Sequence, residues 1–237
     1  MQQIEVGSIT IDIVRKDIKN LHLSVHPPKG RVRIASPLTI NDEAIRLFAI
    51  SKLPWIKHQQ RKFQEQERET VREYLARESH FFFGERYLLN IIEHDHSAKI
   101  ILNKTTIDLY VKKGSSQSER QVIMNEWYRR ELKKLIPGLL EKWQKIVGIS
   151  ASEWGVKLMK TKWGTCNRDQ KRIWLNLELA KKPVKCLEYI IAHELVHLLE
   201  RHHNDIFMQY MDSFMPQWKT YRNELNHLPV SHADWSY

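Results

Sequence analysis

His193-Glu194-Leu195-Val196-His197 is the stretch on which the reading of this chain turns, because it fits H-E-x-x-H. Four residues along a helix amount to about 400° of rotation, so two histidines at that spacing point the same way, one turn apart. Both imidazoles can reach one ion. Glu194 is rotated by about 100°, too far to ligate comfortably but close enough to hold a water on that ion. A catalytic zinc wants three protein ligands and one open position for water, whose pKa it lowers to about 7. Glu194 would take the proton of that water and pass it to the leaving group.

The third ligand must come from elsewhere. His203 lies ten residues after His193, about 15 Å further along if the helix simply continued. It reaches the same ion only if the helix ends soon after His197 and the chain turns back. Leu198, Leu199 and Glu200 can finish the helix, and Arg201-His202-His203-Asn204 is a poor helical stretch before a capping Asn204 or Asp205. A glycine often eases such a turn, and this stretch has none. His202 competes with His203 for the role.

Around the motif, Pro183 suits the first position of a helix running to about Glu200. Val184, Leu187, Ile191, Leu195 and Leu198 form one apolar stripe; Cys186, Ile190, His193 and His197 form another, roughly opposite. A helix apolar on two faces lies inside a protein, and two histidines on a buried face need partners. A metal satisfies both, whereas a pair of structural histidines is the plainer alternative.

Outward from there, Arg172 to Leu177 and Lys157 to Trp163 read as strands flanking the turn Gly164 to Lys171. A last helix is expected over roughly Asp205 to Asn226, with a loose tail after Pro229. Ser118 is expected to cap a long helix toward Val147, with a break or kink at Pro137-Gly138. Phe81 to Val111 holds a second β segment. Asn41 with Asp42 can cap a helix through Leu53, and Trp55 to Arg77 continues as a polar helical arm. Before these, Ile9-Ile11-Ile13, Leu21-Leu23-Val25 and Val32-Ile34 alternate with a period of two, with Pro27-Pro28 and Gly30 as a turn. They predict a small antiparallel meander. No internal repeat is visible. The expected fold is α+β, with residues 1–114 as a β-rich N-terminal region with a helical arm, and residues 115–237 as the metal-binding catalytic domain.

Composition narrows the setting. The chain has 237 residues, 42% hydrophobic, with eight Trp, eight Tyr and seven Phe, which is the profile of a folded domain rather than a disordered one. No run approaches the roughly 18 apolar residues of a membrane span, and Met1 to Thr10 lacks a signal pattern. Two cysteines, Cys166 and Cys186, build no disulfide framework, so a cytoplasmic location is the natural reading. The net charge of +10 is uneven, since from Pro183 onward four Lys/Arg face seven Asp/Glu. A basic body can attract nucleic acid, nucleotides or acidic peptides, or it can be only a solvated surface.

Read with their flanks, these residues resemble the YgjP-like metallopeptidase family, zinc hydrolases related to SprT and WLM-type proteins, over nearly the whole chain. The likeness rests on the H-E-L-V-H helix with His203 and Phe207, and on Lys162-Trp163-Gly164-Thr165-Cys166 leading to Ile173-Trp174-Leu175-Asn176. It rests also on Lys19-Asn20-Leu21, Gly30-Arg31-Val32, Pro37, Lys52, Trp55 and Ile56. Thr165 stands where the family usually has Ser, and Met208 where it tends to have Trp; neither touches a ligand. The resemblance implies a zincin-like catalytic domain with His193, His197 and His203 as zinc ligands and Glu194 as general base. It leaves the substrate open, because relatives are labelled peptidases by motif while a nucleoside triphosphate pyrophosphohydrolase activity has also been attributed to some.

Other residues offer secondary roles. The strand at Trp163 to Cys166 can form a cleft edge on which an extended peptide pairs, or be a strand-turn with a buried Trp. Cys166 and Cys186 can be thiol ligands or small buried residues. Tyr210 and Tyr221 can stabilise an oxyanion or merely pack. Lys160, Lys162, Lys171, Arg172, Lys181 and Lys182 can form a phosphate-binding rim or a solvated face. Asn204 or Asp205 can orient a ligand imidazole. Three readings follow: a zinc metallopeptidase, a nucleotide hydrolase on the same metal site, and a nucleic-acid-associated module with structural metal. An unligated Glu beside three His speaks against the third, because structural zinc is usually closed by a fourth protein ligand. Three imidazoles also accept nickel, iron or copper, so the metal is not restricted to Zn2+.

Overall fold

The structure, a computed structural model, describes residues 2–26, 30–65, 72–159 and 162–227. The chain is a mixed α+β protein in two compact units, one within residues 1–68 and one within 69–231. The boundary expected after residue 114 falls inside the second unit.

In the first unit, strands β1 (Gln2–Val6), β2 (Ile9–Lys16), β3 (His22–His26) and β4 (Arg31–Pro37) form one sheet in the order β1-β2-β4-β3. The expected antiparallel meander is thereby corrected: β4 inserts between β2 and β3 and runs parallel to β2, with Ile11 opposite Val32 and Ile13 opposite Ile34. Burial explains the order. Val32, Ile34 and Ser36 of β4 are buried, which suits a central strand, whereas no described residue of β3 is fully buried, which suits an edge. The turn at Pro27-Pro28 lies outside the described residues. Asn41 caps helix α1 (Asp42–Ser51) by accepting from Ala44 N at 2.8 Å, as the sequence suggests. Ile45 of α1 and Ile56 of α2 (Leu53–Glu65) close a core over Ile11 and Ile34, each residue adding roughly 1.5–3 kcal/mol on burial. The arm expected through Arg77 is not helical at its end, because residues 72–75 are irregular and Tyr74 and Arg77 adopt left-handed backbone angles.

The second unit opens with a sheet of the same plan: β5 (Ser79–Phe82), β6 (Glu85–Glu93), β7 (Lys99–Leu102) and β8 (Thr106–Val111), ordered β5-β6-β8-β7. Its central pair β6–β8 is again parallel and its outer pairs antiparallel. Each strand follows its counterpart by a near-constant interval, as the first residues Gln2 and Ser79, Ile9 and Glu85, His22 and Lys99, Arg31 and Thr106 show. The repeat invisible in the sequence is therefore present in the topology. It escapes a sequence search because the matched strands share little beyond the turn glycines Gly7 and Gly84 and the alternating burial of β4 and β8.

Helix α3 (Gln117–Val147) begins at a capping box of Ser116 with Glu119, two residues before the expected cap, and ends at left-handed Gly148. No break divides it at Pro137, since Leu132, Ile136, Leu140 and Trp143 hold one buried stripe through that point. Strands β9 (Glu153–Lys157), β10 (Gly164–Asn167) and β11 (Arg172–Asn176) form a three-stranded sheet in the order β10-β11-β9. The strand expected at 157–163 is thus displaced to either side, and β10 occupies part of the expected turn. A 3-10 turn over Leu177–Lys181, not anticipated, leads into α4 (Val184–Leu199). The single helix expected last is two, α5 (Asp205–Phe214) and α6 (Trp218–His227), parted at Pro216, which lacks the N–H to continue a ladder. Among the described residues no helix is long and apolar enough to cross a membrane.

Candidate active site

Helix α4 is buried along nearly its whole length, with Leu187, Ile191, Leu195 and Val196 fully enclosed. It stops after Leu199 because Glu200 turns to an extended conformation, φ −129 and ψ 123. Glu200 replaces the missing glycine as the turning device. Its carbonyl accepts from His197 Nδ1 at 3.0 Å and its carboxylate accepts from His202 N at 3.0 Å. Asn204 then starts α5 by accepting from Phe207 N at 3.0 Å. Asn204 thus caps a helix, and the backbone carbonyl of Glu200, rather than Asn204 or Asp205, orients the His197 imidazole.

This doubled-back chain brings His203 to the earlier pair. The Nε2 atoms of His193, His197 and His203 lie 3.0–3.1 Å from one another. His202 and both cysteines stand outside the group. The donors fit a metal. The bond from His197 Nδ1 to the carbonyl leaves its Nε2 as a bare lone pair. Burial pushes His193 down to about 3, helped by the other two rings, and lowers His197 and His203 as well. Three imidazoles, all held toward the neutral form, thus converge on one another. The three nitrogens lie close enough together for His193, His197 and His203 to hold a zinc ion at ordinary Zn–N distances of about 2.0–2.1 Å. Phe207, fully buried, supports all three rings at centroid distances of 5.0, 4.7 and 4.7 Å.

Glu194 sits beside this group, 4% exposed. Burial raises its carboxyl to about 8, against the opposing pull of Lys162. Across from it runs β10, an edge strand of its sheet among the described residues. Gly164 of that strand packs against the Glu194 side chain, which leaves no room for a β-carbon. The triad, Glu194 and β10 border one cleft of about 1030 Å³.

The secondary expectations divide. Tyr210 stacks on Phe214, and neither it nor Tyr221 lines the cleft. Tyr189 does, with its ring edge-on to His193 at 5.7 Å and stacked on Trp218, a residue the sequence reading passed over. Of the expected basic rim, Lys162 and Lys171 line the cleft; Arg172 pairs with Glu153, Lys181 with Glu178, and Lys182 is buried over Trp163. Lys160 lies outside the described residues. Arg168, Arg201 and Arg222 line the cleft unannounced.

The YgjP-like metallopeptidase domain matches residues 19–228. Among solved structures, that of the metallopeptidase zymogen of Pyrococcus abyssi abylysin is similar at 20% identity, over 38% of this chain and 90% of that one, with a TM-score of 0.36. No curated protein sequence matches.

Proposed function

The chain belongs to the YgjP-like metallopeptidase family, and from that premise we propose that it is a zinc-dependent peptidase in which His193, His197 and His203 hold the ion and Glu194 is the general base. The proposal includes a zincin-like catalytic part within residues 115–237, preceded by the β-rich region 1–114. One observation carries it: the Nε2 atoms of three imidazoles converge beside a buried carboxyl, next to an edge strand of a sheet.

When bound, a divalent cation would supply Lewis acidity for the scissile carbonyl and the attacking water, and would hold the adjacent carboxyl in its ionised form. Glu194 Oε1 or Oε2 then accepts the proton of the water and returns it to the leaving amine. Burial helps the first half of that shuttle, because a carboxylate out of water gains by taking up a proton. The free edge of β10 offers main-chain groups on which an extended peptide can pair, and the contact of Gly164 with Glu194 keeps that edge against the base. Phe207 and the Glu200 carbonyl hold the rings in place.

The test is cleavage of a denatured protein mixture by the zinc-loaded chain, with Glu194→Gln and a chelator as controls. Cleavage should fall at least about a hundredfold in Glu194→Gln while the zinc content stays the same. Pyrophosphate release from nucleoside triphosphates that vanishes in the same variant, without proteolysis, would replace this reading by nucleotide hydrolysis. DNA binding that survives chelation and the Glu194 change, with neither hydrolysis, would replace it by a nucleic-acid module.

A further inference from the structure

The cleft carries a charge pattern that the hydrolytic step does not use. Lys162, Arg168, Lys171, Arg201 and Arg222 line it, against Asp169 and the buried Glu194. Among the described residues none of the five makes an ion pair with a carboxylate. Arg168 donates to the carbonyl of Leu199 at 3.3 Å, and Arg222 lies over the Trp218 indole at 4.8 Å. Their neighbours are otherwise engaged: Arg172 with Glu153, Lys181 with Glu178 and Lys185 with Glu224. Cations left over around a cleft raise the local concentration of anions.

Their placement follows the edge strand. Lys162 precedes β10, while Arg168 and Lys171 follow it in the turn to β11. Four residues of strand span about 13 Å, so an extended peptide along Gly164–Asn167 meets positive charge at both ends. Arg201, just beyond α4, and Arg222, on α6, supply further cations around the same cleft.

We propose, resting on the peptidase reading, that this cleft selects peptides with acidic side chains on both sides of the scissile bond. Exposed cations each contribute modestly, so the selection acts through encounter and KM and weakens with salt.

Quenched fluorescent peptides of one core sequence, flanked on both sides by Glu, Gln or Lys, test this on the zinc-loaded chain. Expected is kcat/KM in the order Glu, Gln, Lys, with roughly tenfold between the extremes, carried by KM and shrinking toward equality at 0.5 M salt. The double reversal Arg168→Glu with Arg222→Glu, checked for folding by circular dichroism, should erase or invert the order; Lys104→Glu, exposed and away from the cleft, should preserve it. In parallel, anisotropy measures binding of the same peptides, dye-labelled, to zinc-loaded Glu194→Gln protein. Tighter binding of the Glu peptide without turnover of any peptide in the unaltered chain would support the selection while removing the peptidase reading. Turnover at equal rates for the three peptides would overturn the selection and leave the peptidase intact. Binding of none, or equal binding of the three with none turned over, would overturn it too.

Discussion

Gly164 and Glu194 are in such close contact that a β-carbon on the glycine would stand 2.5 Å from Oε1, 2.8 Å from Cγ and 2.9 Å from Cδ of the carboxyl side chain. The carboxyl is thus held against the strand by the absence of a side chain on its neighbour. Gly164→Ala must push the carboxyl aside, since the added β-carbon would overlap Cγ and Cδ of Glu194 as well as Oε1. Misplacing a reacting group by about 1 Å can cost on the order of a hundredfold. The variant is therefore expected to bind zinc as before and to lose roughly ten- to a hundredfold in kcat, read by parallel metal analysis and steady-state kinetics.

Phe207 makes a second contact of this kind, beneath the three imidazoles. Phe207→Ala should cost about 3–5 kcal/mol of stability through the cavity it leaves. It should also free the rings to turn, lowering zinc affinity by about ten- to a hundredfold. Phe207→Leu refills much of the volume and should restore most of the stability but less of the affinity. Thermal melts with and without zinc, and competition against a chelator, separate the two effects.

Both residues show what a sequence can and cannot disclose. His193, Glu194 and His197 were legible because helical periodicity alone sets their geometry. His203 was nearly as legible, since the turn lies within a few residues, although its device, the carbonyl of Glu200, is a backbone group that no residue type announces. Gly164 lies some thirty residues from Glu194, and their contact depends on how β10 packs on α4, which no local pattern encodes. The cleft cations come from four separate segments for the same reason. Sheet order was lost likewise: alternation marks strands, but which strand sits in the centre is decided by long-range pairing, as with β4 between β2 and β3.

His80 of β5 gives the protein a dependence on acid that is separate from the metal site. It is 3% exposed, with Nε2 3.4 Å from Glu78 Oε2, and burial holds it down to about 4, partly offset by Glu78 and reinforced by Arg72 and Lys181. Above pH 6.5 the ring is neutral in folded and unfolded chains alike, so it adds no pH dependence there. As the pH falls from about 6.5 to about 4, the unfolded chain takes up a proton that the folded one refuses, and stability is lost across that window. Below it the loss levels off. Urea midpoints at pH 7 and pH 4.5 should show a smaller difference for His80→Gln than for the unaltered chain; equal slopes would remove His80 as the cause.

The two sheets of one plan allow a matched comparison at their first turns, where Gly7 and Gly84 both hold a positive φ, +62 and +88. A β-carbon on Gly7 would meet nothing within 4 Å, whereas on Gly84 it would stand 2.8 Å from Cγ and 3.2 Å from Cα of Pro183. Phe83 N and Gly84 N also donate to the carbonyls of Ala180 and Lys181, at 2.8 and 3.3 Å. The second copy of the turn is therefore clamped onto the entry to α4, the helix that carries the histidines. Gly7→Ala should cost only the left-handed backbone penalty, about 1–2 kcal/mol. Gly84→Ala adds a backbone clash that cannot be relieved by rotating a side chain, so it should cost clearly more and weaken zinc retention through the displaced start of α4. Melting temperatures and zinc content of the two variants decide the matter: equal losses with zinc unchanged in both would mean that the turn at Gly84 does not position the helix.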